Sequence, residues 1–385
     1  MRKLLLLASA MIFFDVAFYA AIAPLLPSYV EDLGLNKAQA GILSAAYAAG
    51  TLVASLPAGF VASRVGPRRT VIAGLLMLGF SSLVFGLVHQ IYLLDFARFT
   101  QGAAGALIWA GALTWLITQA PEENRGSVIG TALGTAVAGA LLGPALGALA
   151  ASIGTGLVFG SVLIVTVALA YAASRLPEAA APRPQSLREV LETMLSRPVL
   201  EAAAFVGVPS LMFGAIEVLV PLRIHALGGG TGVIAAGFIA GAGLEAVLAP
   251  VAGRFSDRVG RRAPYVLGLA ICAAAMIAIA LAHTLGAILA ALIATSLGAG
   301  LCFAPALTLI SDIAEESSLH QGFAAGLSNM AWATGQVLGG IGGGVVASLT
   351  GNAVPSVAIS VLLIFTVVYA FYSLAQPPSA TRAAG

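Results

Sequence analysis

Apolar segments about as long as a membrane-spanning helix recur along the whole chain, separated by short polar breaks. Their centres lie near residues 15, 51, 80, 105, 139, 164, 211, 243, 273, 298, 335 and 364. A helix of ~20 apolar residues crosses the hydrocarbon core of a bilayer. The pattern therefore predicts twelve transmembrane helices, called segments 1 to 12 below, with six on each side of the longest polar break.

The composition agrees with a chain that lies mostly in lipid. Hydrophobic residues make up 59% of it and charged residues 9%, whereas soluble domains have roughly 25% charged residues. So few charges do not cover the surface of a water-soluble protein of 385 residues. We expect an all-α, multi-pass membrane protein that contacts the lipid bilayer and binds no nucleic acid. Segment 1 is long, uninterrupted and not followed by a signal-peptide cleavage site, so we expect it to be retained as a helix.

The lysines and arginines predict which ends face the cytoplasm. Cytoplasmic loops of membrane proteins are enriched in these residues. With the N-terminus inside, Lys37 and Arg223 fall outside, Arg98 falls within segment 4, and the other basic residues fall inside: Arg2, Lys3, Arg64, Arg68, Arg69, Arg125, Arg175, Arg183, Arg188, Arg197, Arg254, Arg258, Arg261, Arg262 and Arg382. Both termini are therefore predicted to be cytoplasmic, in the plasma (inner) membrane.

The second half of the chain repeats the first at an offset of 194 to 196 positions. A basic loop after segment 2 returns after segment 8, with the matched pairs Gly59/Gly253, Arg64/Arg258, Gly66/Gly260 and Arg68/Arg262. Six segments per half give both copies the same topology, and parallel repeats of this kind bind substrate near the midplane, at their interface. We predict two pseudo-symmetric six-helix bundles, residues 1–174 and 199–385, joined by a cytoplasmic linker, residues 175–198.

The linker contains the pattern of a short amphipathic helix. Ser186 and Glu189 have the spacing of a capping box, and the apolar residues between 187 and 195 fall on one helix face. The pattern predicts either a helix that lies on the cytoplasmic membrane surface or a plain linker helix.

Four stretches resemble three motifs of the major facilitator superfamily. The two basic loops resemble its loop motif, residues 98–105 resemble the segment 4 motif of proton-coupled members, and residues 139–147 resemble the segment 5 motif of antiporters. Over nearly the full chain the sequence resembles the twelve-helix drug:proton antiporter family, which implies that fold and a monomer. Ser63 replaces the Asp that the family has in the first loop, while Asp257 keeps it in the second. The charge lock that the motif implies is therefore complete only in the second copy.

Segment 5 has a glycine face and a proline. Gly139, Gly143 and Gly147 recur every fourth residue and share one face, which permits close approach of another helix, and Pro144 favours a kink. We expect this segment to act as a seal and pivot between the halves, or simply as packing. The predicted gating residues are Gly59, Arg64, Gly66, Arg68, Gly139, Gly143, Pro144, Gly147, Gly253, Asp257, Arg258, Gly260 and Arg262.

Ionisable residues inside the apolar segments are the main candidates for chemistry. An Asp at the midplane costs roughly 2.5–3.5 kcal/mol on insertion scales and normally faces a cavity or a partner. Asp15 in segment 1 and Glu217 in segment 7 are the first candidates, each holding either a proton or a cationic substrate. Glu245 in segment 8 is a further proton-coupling candidate. So is Arg98, which either acts on a carboxylate in the cavity or forms a static ion pair with Asp95.

Two further features resemble vesicular amine transporters and their bacterial multidrug relatives. They are residues 15–29 in segment 1 and an acid before Pro221 in segment 7. The resemblance implies that Asp15 binds the amine and that Glu217 takes part in proton coupling. A short loop after segment 1 and the lack of a glycosylation sequon favour a bacterial plasma-membrane protein. Aromatic walls with few polar groups suit flat organic cations. The alternative for each ring alone is that it contacts lipid or packs against a neighbouring helix, as aromatic residues in membrane helices more often do. The predicted substrate-binding residues are Asp15, Phe18, Tyr19, Gln101, Trp109, Phe213, Glu217, Asn329, Trp332 and Gln336.

The sequence thus predicts a proton-coupled antiporter that exports hydrophobic, cationic small molecules by alternating access, driven by the proton gradient without a cofactor. The alternative is a proton-coupled exporter of metabolites such as sugars or amino acids, with Asp15 as a proton site only. An enzyme or a sensor is disfavoured. No nucleophile–base set is evident, and the four histidines lack metal-ligand spacing to Cys or acids. A Walker loop for ATP is also absent from the sequence.

Overall fold

The computed structural model describes residues 1–121, 125–179, 186–316 and 321–374. All regular structure in these residues is α-helical. The helices are α1 (Arg2–Ala20), α2 (Ile22–Leu33), α3 (Lys37–Val65), α4 (Pro67–Leu87), α5 (Ile91–Gln119), α6 (Arg125–Ile153), α7 (Thr155–Ser174), α8 (Leu187–Met194), α9 (Arg197–Ala226), α10 (Thr231–Val259), α11 (Arg262–Leu281), α12 (Leu285–Glu316), α13 (Gln321–Thr350) and α14 (Ala353–Ser373).

These helices match the predicted segments. Helices α1 and α2 together form segment 1, and α8 lies in the linker. Within the described residues, ten helical spans are long and apolar enough to cross a membrane. Helices α5 and α13 are as long as the others, but polar residues such as Arg98, Gln101, Asn329 and Gln336 lower their hydropathy. The least apolar of the long helices are thus the ones that contribute many of the predicted site residues.

Segment 1 is interrupted at Ala21, between α1 and α2. Pro24 lacks the N–H that would bond the carbonyl four residues earlier, so the helical hydrogen-bond ladder is incomplete at this point. Next to this break, the guanidinium of Arg98 on α5 donates to the carbonyl oxygens of Phe18 at 3.3 Å and Tyr19 at 3.2 Å. These bonds fix the end of α1 to α5.

The buried apolar residues form two clusters, one in each half of the chain. The first lies almost wholly between Leu4 and Ala179 and the second between Val190 and Ala370. In the first half α1 packs on α6, and α4 packs on α5 and α7; in the second α9 packs on α13, and α11 on α12 and α14. This arrangement agrees with two bundles. The exact domain limits 1–174, 175–198 and 199–385 stay a prediction.

The glycine face of α6 packs within its own half. A Cβ at Gly139 would lie 2.5 Å from the carbonyl oxygen of Phe13, and one at Gly143 would lie 2.6 Å from that of Ala17. Gly147 similarly abuts the carbonyl of Ala21. The expected close apposition to the other half is therefore not formed by these glycines, because α1 occupies their face. The contact between the halves at α6 and α10 uses another face, where Leu141 approaches Gly243.

The predicted linker helix is confirmed as α8. Its capping box has both bonds: Glu189 N donates to Ser186 Oγ at 3.2 Å, and Ser186 N donates to a Glu189 carboxylate oxygen at 3.2 Å. Val190 and Met194 are buried in the apolar cluster of the second half. Part of the apolar face thus packs against protein, and the location on a membrane surface stays a prediction. Residues 180–185 lie outside the described part of the chain.

Candidate functional site

Asp15 lies on α1 with its side chain fully buried. Tyr47 Oη on α3 donates to Oδ1 at 2.8 Å, and Trp109 Nε1 on α5 donates to Oδ2 at 3.1 Å. Gly105 of α5 makes this possible, since a Cβ there would lie 2.5 Å from the Tyr47 hydroxyl oxygen. Both carboxyl oxygens are therefore bound by neutral donors of the first half. No salt bridge joins Asp15 to another residue in the described part of the chain.

Glu217 lies on α9 and is partly exposed. Its donor comes from the first half: Tyr19 Oη on α1 donates to Glu217 Oε1 at 2.5 Å. The same hydroxyl oxygen accepts a hydrogen bond from Gln336 Nε2 on α13 at 2.9 Å. Tyr19 is therefore bound through one oxygen atom to two helices of the second half. Glu217 and Asp15 differ in which half supplies their donors.

Aromatic rings connect the surroundings of the two acids. The Tyr19 ring lies 4.9 Å from that of Tyr47 and 5.3 Å from that of Trp332, between centroids. Of the predicted wall residues, Tyr19, Trp109, Trp332 and Gln336 thus lie together around the acids. Phe213 lies four residues before Glu217 and packs against Phe303 at 5.8 Å. Asn329, partly exposed, lies three residues before Trp332 on α13.

Two predicted wall residues lie elsewhere. Phe18 is buried in the core of the first half, with its ring 5.5 Å from that of Phe159 on α7. Phe18 and Tyr19 are neighbours on α1, about 100° apart around the helix axis, and the Tyr19 side chain contacts the second half. Gln101 is buried and already occupied, because it accepts from Arg98 at 3.1 Å and donates to Ser82 at 3.0 Å. Neither side chain contributes to the wall in this conformation.

Arg98 is fully buried but is not paired with an acid. Besides Gln101, it donates to the carbonyls at the end of α1 and lies 5.2 Å from the centroid of the Tyr47 ring. The alternative of a static ion pair with Asp95 is not formed: no such salt bridge occurs among the described residues, and Asp95 Oδ1 is buried without a hydrogen-bond partner there.

Glu245 lies apart from the two central acids. It is partly exposed on α10, where its backbone faces Gly300 of α12. No hydrogen bond or salt bridge between described residues links it to Asp15 or Glu217. Its proposed part in proton coupling stays a prediction.

The two halves are closed against each other at the end of the molecule that contains Lys37, called the Lys37 end. Lys37 Nζ donates to Asn352 Oδ1 at 2.5 Å, and His225 Nε2 lies 2.7 Å from Glu31 Oε1. Deeper in, Gly41 of α3 is so close to Gly340 of α13 that an added Cβ would collide with its carbonyl. These contacts join first-half helices to second-half helices and seal this end.

The basic loops lie at the opposite end, called the basic end. Gly66 and Gly260 both have positive φ angles, 100° and 85°, which favour glycine because it lacks a Cβ. In the first loop, Arg68 donates to the Leu176 carbonyl at 2.9 Å and pairs with Glu178 at 2.9 Å. In the second, Arg262 stacks on Phe371 at 3.6 Å, and a cavity of about 300 Å³ lies beside Gly253 and Gly260.

The other predicted gating residues lie near these loops. Arg64 is exposed and lies 6.0 Å from the centroid of the Phe60 ring, and Arg258 is exposed at the end of α10. Gly59 is partly exposed on α3. Ser63, whose side chain is neutral, is buried and donates to the Phe60 carbonyl at 2.9 Å. The first loop therefore has no charge at this position. The side chain of Asp257, expected to complete the second lock, lies outside the described part of the structure.

Sequence reasoning missed three features of this arrangement. Tyr47 had no distinguishing signal, because a single Tyr in an apolar helix gives no indication of its partner. The link between Arg98 and the break in segment 1 depends on which helices become neighbours. The seal at the Lys37 end did have a signal, the spacing of Gly340 and Gly344, which is that of closely packed membrane helices.

Comparisons with known proteins agree with this architecture. The chain matches the family model described as Major Facilitator Superfamily at residues 5–247 and 225–385. It resembles the MFS-type transporter ppzB of Metarhizium majus, with 29% identity over 126 residues, and the quinolone resistance protein NorA of Staphylococcus aureus, with 26% identity over 109 residues. The matched segment covers 31% and 28% of this chain but only 27% and 28% of those proteins, respectively.

Two solved structures share the fold over nearly the whole chain. A bacterial homolog of the human lysosomal transporter Spinster, in an inward-facing and unoccupied conformation, has a TM-score of 0.79 at 13% identity and covers 97% of this chain and 96% of its own. A D-xylose-proton symporter has a TM-score of 0.74 at 16% identity and covers 96% of each chain. The predicted twelve-helix, two-bundle fold is confirmed.

Proposed function

We propose that this chain, which belongs to the major facilitator superfamily, is a secondary active transporter that exports hydrophobic organic cations in exchange for protons. The observation that supports this most is the setting of Asp15. Its carboxyl group is fully buried, and its hydrogen bonds come from the neutral Tyr47 and Trp109. The site thus provides an acid that no Lys or Arg of the described residues pairs with, in aromatic surroundings.

The chemistry of exchange follows from that setting. A charged group withdrawn from water is costly unless it is paired. A carboxyl group in this position therefore favours holding a proton or a positively charged ligand, and not remaining an isolated anion. Because both occupants neutralise the same group, binding of one promotes release of the other. The rings of Tyr47, Trp109, Tyr19 and Trp332 add cation–π attraction, ~0.5–2 kcal/mol for each well-placed ring.

Glu217 provides a second acid, through which the membrane potential could contribute to pumping. A pH difference of one unit supplies ~1.4 kcal/mol per proton, and a potential of 100 mV supplies ~2.3 kcal/mol per net charge moved. Exchange of one proton for one monovalent cation moves no net charge and uses only the pH difference. A second proton on Glu217 would let the membrane potential contribute. Two acids, one from each half, are compatible with this stoichiometry.

The conformation supports alternating access. If the basic end faces the cytoplasm, as the excess of arginines there predicts, the sealed Lys37 end faces outward. Substrate would then reach the central acids from the cytoplasmic side and leave after the halves rock about the site. The inward-facing conformation of the Spinster homolog, which has the same fold, agrees with this arrangement. We place the protein in the plasma membrane as a monomer.

The relatives favour export over uptake. NorA is named for resistance to quinolones, which is a property expected of an exporter, and the short aligned segment connects this chain with that protein. The D-xylose-proton symporter shares only the fold. The alternative function, export of sugars or amino acids with Asp15 as a proton site only, predicts a different response to organic cations.

One reconstitution experiment tests the proposal. The full chain is placed in vesicles that are acidic inside, and uptake of ethidium is compared with uptake of radiolabelled sugars and amino acids. We expect ethidium to accumulate, the ionophore nigericin to abolish accumulation, and Asp15→Asn to prevent it. Glu201→Gln is the matched control, since Glu201 pairs with Arg197 on α9 away from the site. Gradient-driven uptake of a metabolite without uptake of cations would support the alternative, and no gradient-driven flux of any of these compounds would contradict proton coupling.

A further inference from the structure

We infer that Tyr19 is the positioning residue that couples the charge of Glu217 to the contact between the two halves. In this role it prevents the empty, unprotonated transporter from changing conformation. The inference rests on the proposed exchange function and adds a mechanism that keeps exchange obligatory.

The geometry singles out the Tyr19 hydroxyl. It donates to Glu217 at 2.5 Å and accepts from Gln336 at 2.9 Å, so one oxygen of the first half binds α9 and α13 of the second half. The other side-chain hydrogen bonds described above between the halves lie at the Lys37 end. The Tyr19 bonds lie instead at the predicted substrate site. A change of occupancy there acts directly on the contact between the halves.

The strength of this contact depends on the charge of Glu217. A hydroxyl donating to a carboxylate forms a shorter bond, about twice as strong as one to a neutral acceptor. With Glu217 as an anion, Tyr19 therefore holds the halves together firmly. A proton on Glu217, or a cation beside it, weakens the bond and releases the contact. Binding of a proton or a cation at Glu217 and release of the contact between the halves thus depend on the same Tyr19 hydroxyl group.

Tyr19 is itself held firmly by the first half. Its carbonyl accepts from Arg98 at 3.2 Å, and its ring lies between those of Tyr47 and Trp332. Since α1 ends one residue later, at Ala20, the hydrogen bond from Arg98 ties the end of α1 to α5. A change in the hydrogen bonds of the Tyr19 hydroxyl therefore acts on the packed helices of the first half, because the Tyr19 side chain has little freedom to move alone.

The other ionisable groups around Glu217 leave this role to Tyr19. Asp15 on α1 is bound by Tyr47 of α3, within the first half. Within the described residues, Arg98 of α5 donates to Gln101 and to the carbonyls at the end of α1, and not to Glu217. Helix α13 contributes the neutral Gln336 and Trp332. Among the other acids on neighbouring helices whose side chains the structure describes, Glu245 on α10 is not bonded to this cluster, Glu31 and Asp32 lie at the Lys37 end of α2, and Asp312 lies at the basic end of α12.

The functional consequence concerns leakage. An exchanger that crosses the membrane empty lets substrate run down its gradient without proton transfer. In the state without proton or cation, the anionic Glu217 holds Tyr19 and stops that step. Asp15 has no such effect, because its hydrogen bonds do not cross between the halves. The two acids therefore have different roles. Asp15 binds the proton or the cation, and the charge of Glu217 controls the contact with the opposite half through Tyr19.

A transport assay tests this with two conservative variants. Tyr19→Phe keeps the ring contacts and removes both cross-half bonds, whereas the matched variant Tyr47→Phe removes one bond to Asp15 within a single half. In vesicles without a pH gradient, net downhill efflux of ethidium is compared with exchange of internal for external ethidium. We expect Tyr19→Phe to raise the ratio of net efflux to exchange several-fold, and Tyr47→Phe to leave that ratio at the wild-type value. An unchanged ratio in Tyr19→Phe, or an equal rise in both variants, would overturn the inference.

A distance measurement provides a readout that does not need transport. Val65 and Val259 are exposed at the ends of α3 and α10, whereas the native Cys272 and Cys302 are fully buried, so spin labels on Val65→Cys and Val259→Cys report the separation of the halves at the basic end. We expect the distance distribution to narrow from mildly acidic to mildly alkaline pH in this double variant, and to be independent of pH when Tyr19→Phe or Glu217→Gln is added.

Survival of the pH dependence in Tyr19→Phe would contradict the role of Tyr19, as would its absence from the parent protein. If Tyr19→Phe fails to fold, Glu217→Gln keeps the inference falsifiable, because a pH dependence of the distances that persists in this variant would contradict control of the contact by the charge of Glu217. A wild-type protein that shows the pH-dependent distances but drives no cation uptake would contradict the proposed function and leave the coupling role of Tyr19 intact. The two failures are therefore distinguishable.

Discussion

Asp15 and Glu217 are both acids in apolar helices, but their hydrogen-bond donors come from different halves of the molecule. Asp15 is fully buried and bound by Tyr47 and Trp109, all within the first half. Glu217 is partly exposed and bound by Tyr19, from the opposite half. The duplication therefore preserved the helix arrangement but not the positions of the acids in the site. At the repeat offset of 194, Asp15 matches Pro209 and Glu217 matches Ala23.

The basic loops show the same divergence. The first loop lacks the family's Asp at Ser63, and an acid from the linker, Glu178, pairs with Arg68 beside Gly66. At the corresponding place in the second half, Arg262 stacks on Phe371 and a cavity remains open next to Gly260. Each copy therefore stabilises its arginine by a different interaction. Sequence symmetry alone does not predict those partners.

Neutralising the two acids separately is expected to give the largest effects and the clearest contrast between them. Removing one member of a buried charge pair costs ~3–5 kcal/mol, so Asp15→Asn should weaken cation binding at least about 100-fold. Glu217→Gln should retain binding and exchange but lose accumulation against a gradient, because the empty transporter would no longer be held by Tyr19 and would return without a proton. Equilibrium binding and vesicle uptake, measured on the same preparations, check both. Equal loss of binding in the two variants would contradict the division of roles.

Filling the space beside Asp15 should have the next largest effect. A Cβ at Gly105 would lie 2.5 Å from the Tyr47 hydroxyl oxygen and 2.8 Å from Asp15 Oδ1. Overpacking of this kind costs ~1–3 kcal/mol, so Gly105→Ala should displace Tyr47 and weaken cation binding by about tenfold. Gly130→Ala is the matched control on α6, because a Cβ there meets no atom within 4 Å. Wild-type binding by Gly105→Ala would mean that Tyr47 does not position Asp15.

Removing a single donor to Asp15 should have a smaller effect. Trp109→Phe keeps an aromatic ring but loses the N–H that binds Oδ2. One hydrogen bond contributes ~0.5–1.5 kcal/mol, so the dissociation constant for ethidium should rise by about three- to tenfold. Trp115→Phe on the same helix serves as control, since the Trp115 Nε1 group has no partner among the described residues. An equal rise in both variants would point to general loosening of α5.

The smallest effect is expected at the basic end. The Arg68–Glu178 pair is partly exposed, with side-chain exposures of 26% and 32%, and such pairs contribute ~0–1 kcal/mol. Glu178→Gln should raise hydrogen–deuterium exchange at the start of α4 slightly, without changing the start of α11. Glu192→Gln, which removes an exposed pair on α8, is the control. A change at α11 of the same size would show that the two loops are not independently held.

The sequence predicted more of the fold than of the site, for physical reasons. Apolar length and the repeat suffice for the helices, because each lipid-facing helix must satisfy its own backbone bonds. Asp15 and Glu217 could be found since charges are costly in apolar helices. The partners could not, because they depend on which helices meet. Phe18 and Gln101 were expected in the wall for their positions on the helix, but neighbouring helices bury them against Phe159 and Arg98.

The central claim, that a proton and an organic cation compete for one buried carboxyl group, is tested most directly by counting protons. Ethidium is added to the purified full chain in detergent under weak buffering, over a range of pH, and the protons released per cation bound are measured. Linkage requires that competing ligands displace each other reciprocally. We expect proton release to reach about one proton per cation bound at its maximum and to disappear in Asp15→Asn. Binding of ethidium without proton release at any pH would contradict it.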